Sequence, residues 1–206
     1  MFMVPLLTLL VESLRRTFDA DYPDERFRGL WVSLEYPIAR ANYPGIWVDF
    51  QPTTDVQAAG IGHLEYTAPT TDGTVRAFTR WRYAGMVQLT CVTLTSLERA
   101  TLVDEVVKTV AFGLEDPGRA EFTRHLDAND LVACTLQRDK LDLTTKGEAQ
   151  GTPWGTDEIL YEQTVTIDCM GEFVSDGSNG GLIPLTAVAV YPTGPGEIPH
   201  PGSGWQ

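Results

Sequence analysis

Arg76, Arg80 and Arg82 are even-numbered residues of one strand-like run, in which Val75, Ala77, Thr79, Trp81 and Tyr83 are the odd ones. A period of two sends alternate side chains to opposite faces of a strand, so the three guanidiniums share a face. Each is a planar fork that can take a carboxylate through two hydrogen bonds. The chemistry on offer is therefore recognition: a solvated face with cross-strand carboxylates, or a contact face for an acidic neighbour. Groups that make and break bonds are sparse. Cys91, Cys134 and Cys169 are far apart, lack CxxC spacing, and stand in apolar or strand-like surroundings, which reads as buried free thiols. His63, His125 and His200 share no ligand spacing. The chain contains no GxxxxGK[ST] phosphate loop, no GxGxxG turn, no HExxH and no GxSxG elbow. Asp104 and Glu105, like Asp157 and Glu158, are adjacent and do not face each other as an acid–base pair would. The Gly-rich run from Asp176 to Gly181 reads as turn chemistry before it reads as an anion cradle. Catalytic residues, a metal and a cofactor are all expected to be none.

The framework behind these residues is a chain of 206 residues with 43% hydrophobic content, enough for one domain with a real core. Fifteen basic residues against 28 acidic ones give a net charge of -13. Such a chain repels a phosphate backbone, which argues against sequence-independent nucleic-acid binding and suits a surface past which DNA must slide. The apolar stretch from Met1 to Leu10 is too short to span a bilayer. Arg15 and Arg16 follow it instead of preceding it, so it is not built like a signal peptide. Leu6, Leu9, Leu10 and Leu14 fit one helical face, which predicts an exposed amphipathic helix that docks on a partner through Leu6 and Leu10. Unpaired cysteines fit synthesis in a reducing cytoplasm.

Period-two patterns predict strands over 30–36, 46–50, 60–67 and 131–136, a long strand or kinked pair over 74–91, and a last strong strand over 158–173. Residues 19–28, 37–45 and 138–152 read as loops, the last as an exposed loop or hairpin. Thr95-Ser96-Leu97-Glu98 is a capping box. The helix it opens carries Leu97, Ala100, Val103, Val106, Val107 and Val110 on one face and ends at Gly113, which suits a C′ position. A short helix follows over 119–126. From Pro192 the chain is rich in Pro and Gly and carries Trp205 near its end, which reads either as an extended arm whose Trp docks on a neighbour or as a frayed tail. The expected architecture is α+β: a mixed, mostly antiparallel sheet flanked by an N-terminal helix and a long capped helix, with a single domain over 1–191 and the arm over 192–206.

Three segments carry a resemblance. Tyr36-Pro37-Ile38 through Tyr43-Pro44-Gly45-Ile46-Trp47-Val48-Asp49-Phe50, Leu94-Thr95-Ser96-Leu97-Glu98-Arg99, and Gly151-Thr152-Pro153-Trp154-Gly155-Thr156-Asp157-Glu158 resemble those of structural proteins of long-tailed siphophages of actinobacteria, the tail terminators in particular. The similarity runs over most of the chain, from Leu6 to Val190. It implies an α/β subunit of a hexameric ring that caps the tail tube, stops tube polymerisation and joins the tail to the head connector. It also implies a virion protein assembled in the host cytoplasm, whose partners are its own copies, the tail tube protein and the connector or stopper. DNA would pass through the lumen without specific binding, and no membrane, cofactor or chemistry would be involved. In this frame the arginine strip Arg76, Arg80 and Arg82, the helix residues Leu6 and Leu10, and Trp205 are interface residues. The alternatives are a head-completion stopper or another neck protein, a small hydrolase with carboxylates from distant segments, and a glycan-binding module with Trp31, Trp47 and Trp154 as its platform.

Overall fold

The computed structural model describes residues 2–19, 21–53, 57–58, 66–69, 75–113, 119–128, 132–150, 152, 154–155 and 158–176. The chain opens with helix α1, Met3–Thr17, followed by strands β1, Trp31–Ser33, and β2, Gly45–Pro52. Two short strands come next, β3, Gln57–Ala58, and β4, Tyr66–Pro69. The long strand β5, Val75–Thr93, leads into α2, Ser96–Phe112, and α3, Ala120–Asp127. The last two strands are β6, Val132–Gln150, and β7, Ile159–Asp176. Five strands lie in the order β1-β2-β5-β7-β6, and β3 and β4 pair with β5 beyond the end of β2. Among the described strands only β1–β2 is a parallel pair; the others are antiparallel. This is the expected α+β fold with its mixed, mostly antiparallel sheet.

The axis of the sheet is the β5–β7 ribbon, paired without a break from Phe78↔Asp176 to Thr93↔Tyr161. The stretch read as a long strand or a kinked pair is thus one strand of 19 residues. Its odd-numbered side chains, Tyr83, Val87, Leu89 and Cys91, join Ile46, Val48 and Phe50 of β2 and Val165, Ile167 and Cys169 of β7 on one buried face. All three helices contribute buried residues to the core on that face, among them Leu6, Leu10, Leu14, Leu102, Val106, Phe122 and Leu126. At one end of the core, Phe2 stacks on Tyr83 at 4.6 Å and on Phe173 at 4.9 Å, with Phe50 edge-on at 6.2 Å. Two glycines make room for these rings. A Cβ on Gly85 would lie 2.4 Å from the Phe50 ring, and one on Gly171 would lie 2.0 Å from the Ala133 carbonyl oxygen and 2.4 Å from the Tyr83 hydroxyl.

Several local expectations need correction. Leu6 and Leu10 do not form an exposed docking face: both are fully buried against this chain's own sheet and helices. Their leucine periodicity signalled a face that must be covered, and the chain covers it itself. Residues 138–150 are not a loop, because β6 continues through them as an edge strand. Its polar sequence follows from having one side unpaired and from irregular register between Leu136 and Leu141 and again between Thr145 and Gly147. Thr95 caps α2 as predicted, its hydroxyl accepting from the Glu98 amide at 3.2 Å. Leu97, placed with the buried face, is instead 76% exposed. Gly113 closes α2 with φ -57°, so it is not a left-handed cap. The position needs glycine because a Cβ there would meet the Thr109 carbonyl oxygen at 2.4 Å.

Candidate functional site

The three segments that carry the resemblance are remote in sequence and meet at one end of the sheet. The loop before β2, the β5–α2 junction and the lead into β7 line one cleft of about 600 Å³, with Arg40, Tyr43, Thr95, Glu98, Glu158 and Tyr161 around it. Arg40 bridges to Glu158 at 2.7 Å, and the Tyr43 ring meets the Trp154 ring edge-on at 5.1 Å. The loop over 34–44 is pinned across the sheet by several polar contacts. Tyr36 donates to Glu162 of β7, Trp47 Nε1 donates to the Leu34 carbonyl at 3.0 Å, and Tyr43 donates to the Pro37 carbonyl at 2.6 Å. Burial first, and then the Glu162 hydrogen bond, push the Tyr36 hydroxyl far above its ordinary pKa of 10.0, so it stays a proton donor at any physiological pH. The sequence around this fixed frame leaves apolar side chains in water: Ile38 is 70% exposed, and Leu97 and Ile159 are exposed as well. A rigid scaffold presenting exposed aliphatic residues suits contact with another macromolecule.

The residues that could do chemistry are held otherwise. Ser13 and His125 form a Ser–His pair, with Oγ 2.8 Å from Nδ1, which is the geometry of a nucleophile and its base. Yet the Ser13 hydroxyl already donates to the Leu9 carbonyl at 2.7 Å, so the imidazole Nδ1 must carry the proton of the shared bond. Ser13 is also fully buried, so the pair ties α1 to α3 and offers no nucleophile to a substrate. The strongest charge cluster centres on Glu105, buried on α2. Tyr22 donates to its Oε2 at 2.6 Å, Arg119 Nη2 to the same oxygen at 2.6 Å, and Lys108 to Oε1 at 2.9 Å. Burial alone would raise this carboxyl, but the donors from Arg119, Tyr22 and Lys108 outweigh it and hold it down at about 2. In turn, burial and the Glu105 bond raise Tyr22 to about 12. Every strong donor in the cluster points at one carboxylate, which makes it a clasp between helices and the 18–22 segment.

Cys91, Cys134 and Cys169 are free and buried, as their surroundings implied. Cys134 and Cys169 are diagonal neighbours on β6 and β7, facing Gly171 and Leu136 respectively. Burial lifts the Cys91 thiol to about 12. Among the described residues no group of three His, Cys, Asp or Glu side chains converges as a metal site would require. No helix among them is long and apolar enough to cross a membrane.

The interface residues expected from the sequence are scattered. Arg82 stands on the sheet face away from the helices and donates from Nε to Glu172 at 2.7 Å, the cross-strand partner that the bland reading of the strip called for. The side chains of Arg76 and Arg80 lie outside the described residues, as does Trp205 with the whole arm. Of the proposed aromatic platform, Trp47 and Trp154 flank the 34–44 loop with their indole nitrogens engaged by Leu34 and Glu158, while Trp31 is at the sheet edge on β1. The converging end surface was missed because its members are remote in sequence; exposed Ile38, immediately after Pro37, was its one local sign.

No known family model and no curated protein matches this chain.

Proposed function

We propose that this chain is a structural subunit that assembles with its own copies into a ring, hexameric as the resemblance implies, capping a phage tail tube and joining it to the head connector. The observation that carries the reading is the convergence of the three resembling segments at one cleft, lined by exposed Ile159, with Ile38 exposed in the adjoining loop and Leu97 exposed in the first turn of α2. This surface is the proposed contact for the tail tube protein or the connector. A second feature supports self-assembly. Among the described strands β6 has a partner on one side alone, which offers an edge for a neighbour as well as an apolar end. Contacts between different patches of identical subunits close into rings when the rotation closes. The sheet face away from the helices carries Asp49, Asp142 and Asp168, which suits a lumen wall along which DNA moves without adhering. The protein would then reside in the neck of the virion after assembly in the host cytoplasm.

The test is mass photometry and negative-stain imaging of the purified chain at several concentrations, alone and with tail tube protein. Rings are expected, and the double variant I38D/L97D is expected to weaken attachment to the tube at least tenfold while leaving the fold intact. A strict monomer under both conditions would overturn the reading.

A further inference from the structure

A second cleft, of about 590 Å³, opens at the β1 edge of the sheet, where α1 ends. Phe18, Leu30 and Val32, all buried, form its floor, and Arg15, Arg26 and Arg28 line it together with Asp19. Three guanidiniums in one cleft are notable in a chain with only fifteen basic residues and a net charge of -13. The three are compensated differently. Arg26 is neutralised by Asp24 through two bonds, at 3.0 and 2.6 Å. Arg15 instead spends Nε and Nη2 on the Val32 carbonyl, at 2.9 and 2.7 Å. A carbonyl oxygen satisfies donors but cancels no charge, so Arg15 is fixed in place with no direct ion pair among the described residues. Arg28 is fixed by Nε on the Tyr22 carbonyl at 2.8 Å and pairs through Nη1 with the exposed Glu25 at 3.3 Å, a surface ion pair that water weakens. The Asp19 carboxylate accepts from the Asp21 amide at 2.9 Å. Two side chains with five-donor forks are thus held in position over an apolar floor, with donors left over. That combination recognises a carboxylate carried on a peptide whose neighbouring apolar atoms can rest on the floor.

We infer that this cleft is a subunit contact that receives a carboxylate-bearing segment of a second copy of this chain, with Arg15 and Arg28 as its anchors. The inference rests on the ring reading and adds to it where the subunits meet. Local charge complementarity supports a second copy as the occupant: each copy brings 28 acidic residues from which a carboxylate can reach the guanidiniums. The cleft is at the β1 edge of the sheet and β6 forms the opposite edge among the described strands, so a segment from the β6 side of a second copy would make a contact between unlike patches, as ring closure requires.

Sedimentation velocity on the full chain tests this with R15E/R28E, the milder R15Q/R28Q, and R124E as a control on an exposed arginine of α3. Self-association is expected to weaken at least tenfold in R15E/R28E and measurably in R15Q/R28Q, with R124E within about threefold of the parent; circular dichroism melts verify folding, and R15Q/R28Q decides if the charge reversal unfolds. Rings that form unchanged in the folded Arg15/Arg28 variants would overturn the inference and leave the ring reading standing. A parent chain that is monomeric at all concentrations, with and without tube protein, would overturn both. Loss of association reversed by double-stranded DNA oligonucleotides, or direct binding of such DNA to the cleft, would show a phosphate site and also overturn it.

Discussion

The two faces of the sheet are built from the same strands and have opposite characters. On the odd-numbered face of β5, Tyr83, Val87, Leu89 and Cys91 are buried beneath three helices. On the even-numbered face, Arg82, Ala84, Met86 and Gln88 keep contact with water, and Met170 of the neighbouring β7 is 49% exposed. Toward the end of the sheet that carries the 34–44 loop this second face is covered too, and there Thr90 and Thr164 are buried with their hydroxyls 2.9 Å apart. The stability of the chain resides on the covered side. The hydrophobic contribution comes from the covered face, so the other face is free to carry polar, acidic and sulfur-bearing side chains without loss of fold. A free face is also what a subunit needs if other molecules are to meet it.

The largest effect on the covered face is expected from Leu6→Ala. Leu6 is fully buried where α1 meets the core, so truncation removes methyl and methylene contacts and leaves a void. A loss of about 2–5 kcal/mol in urea-unfolding free energy is expected. A change under about 1 kcal/mol would show that α1 adds little to the core, and would return Leu6 to the role of a partner-facing residue.

The helix layer has a second fastening, and Glu105→Gln tests it through pH. The Glu105 carboxyl falls from 4.5 to about 2 on folding, which corresponds to roughly 3 kcal/mol at about 1.4 kcal/mol per unit. The group is depressed in the folded state, so its contribution is complete above about pH 4.5 and is lost as pH drops toward 2. Urea titrations should therefore show E105Q less stable than the parent by about 2–3 kcal/mol at neutral pH, with the gap closing between pH 4.5 and 2. A gap that does not change with pH would mean that the carboxylate charge is not what holds α2 to Tyr22 and Arg119.

How much of this was legible beforehand divides along physical lines. The α+β architecture, the helix cap at Thr95 and the buried thiols follow from local period and local chemistry, and the chain expresses them directly. The leucines of α1 announced a face to be covered but carried no information on what covers it, because periodicity is the same for an intramolecular and an intermolecular seat. Strand β6 was hidden by its edge position: Arg138, Asp139 and Lys140 sit in its first irregularity, and charged residues there blunt an edge while disguising the strand. The Glu105 clasp and the converging end surface depend on residues such as Tyr22 and Glu105, or Tyr43 and Trp154, that no local pattern connects. The arginine strip was a sound reading of strand parity, but it ranked charge by clustering. The structure ranks charge by compensation, and on that measure Arg15, fixed on a carbonyl, stands above Arg82, which has Glu172.

The smallest effect belongs to the more exposed face, where Met170→Lys tests it. Met170 lies beside Ala84 on β5 and opposite Thr135 on β6, half exposed, with Glu172 two residues further along its strand. A lysine at this position keeps a flexible unbranched stem, leaves its ammonium in water and places it on a face already supplied with carboxylates. The unfolding free energy of the isolated chain should change by no more than about 0.5 kcal/mol, the usual range for a surface exchange. A loss of several kcal/mol would demand that this face, too, is packed within the chain. The two faces would then differ only in what covers them, and the acidic lumen wall assigned to Asp49, Asp142 and Asp168 would have to be given up.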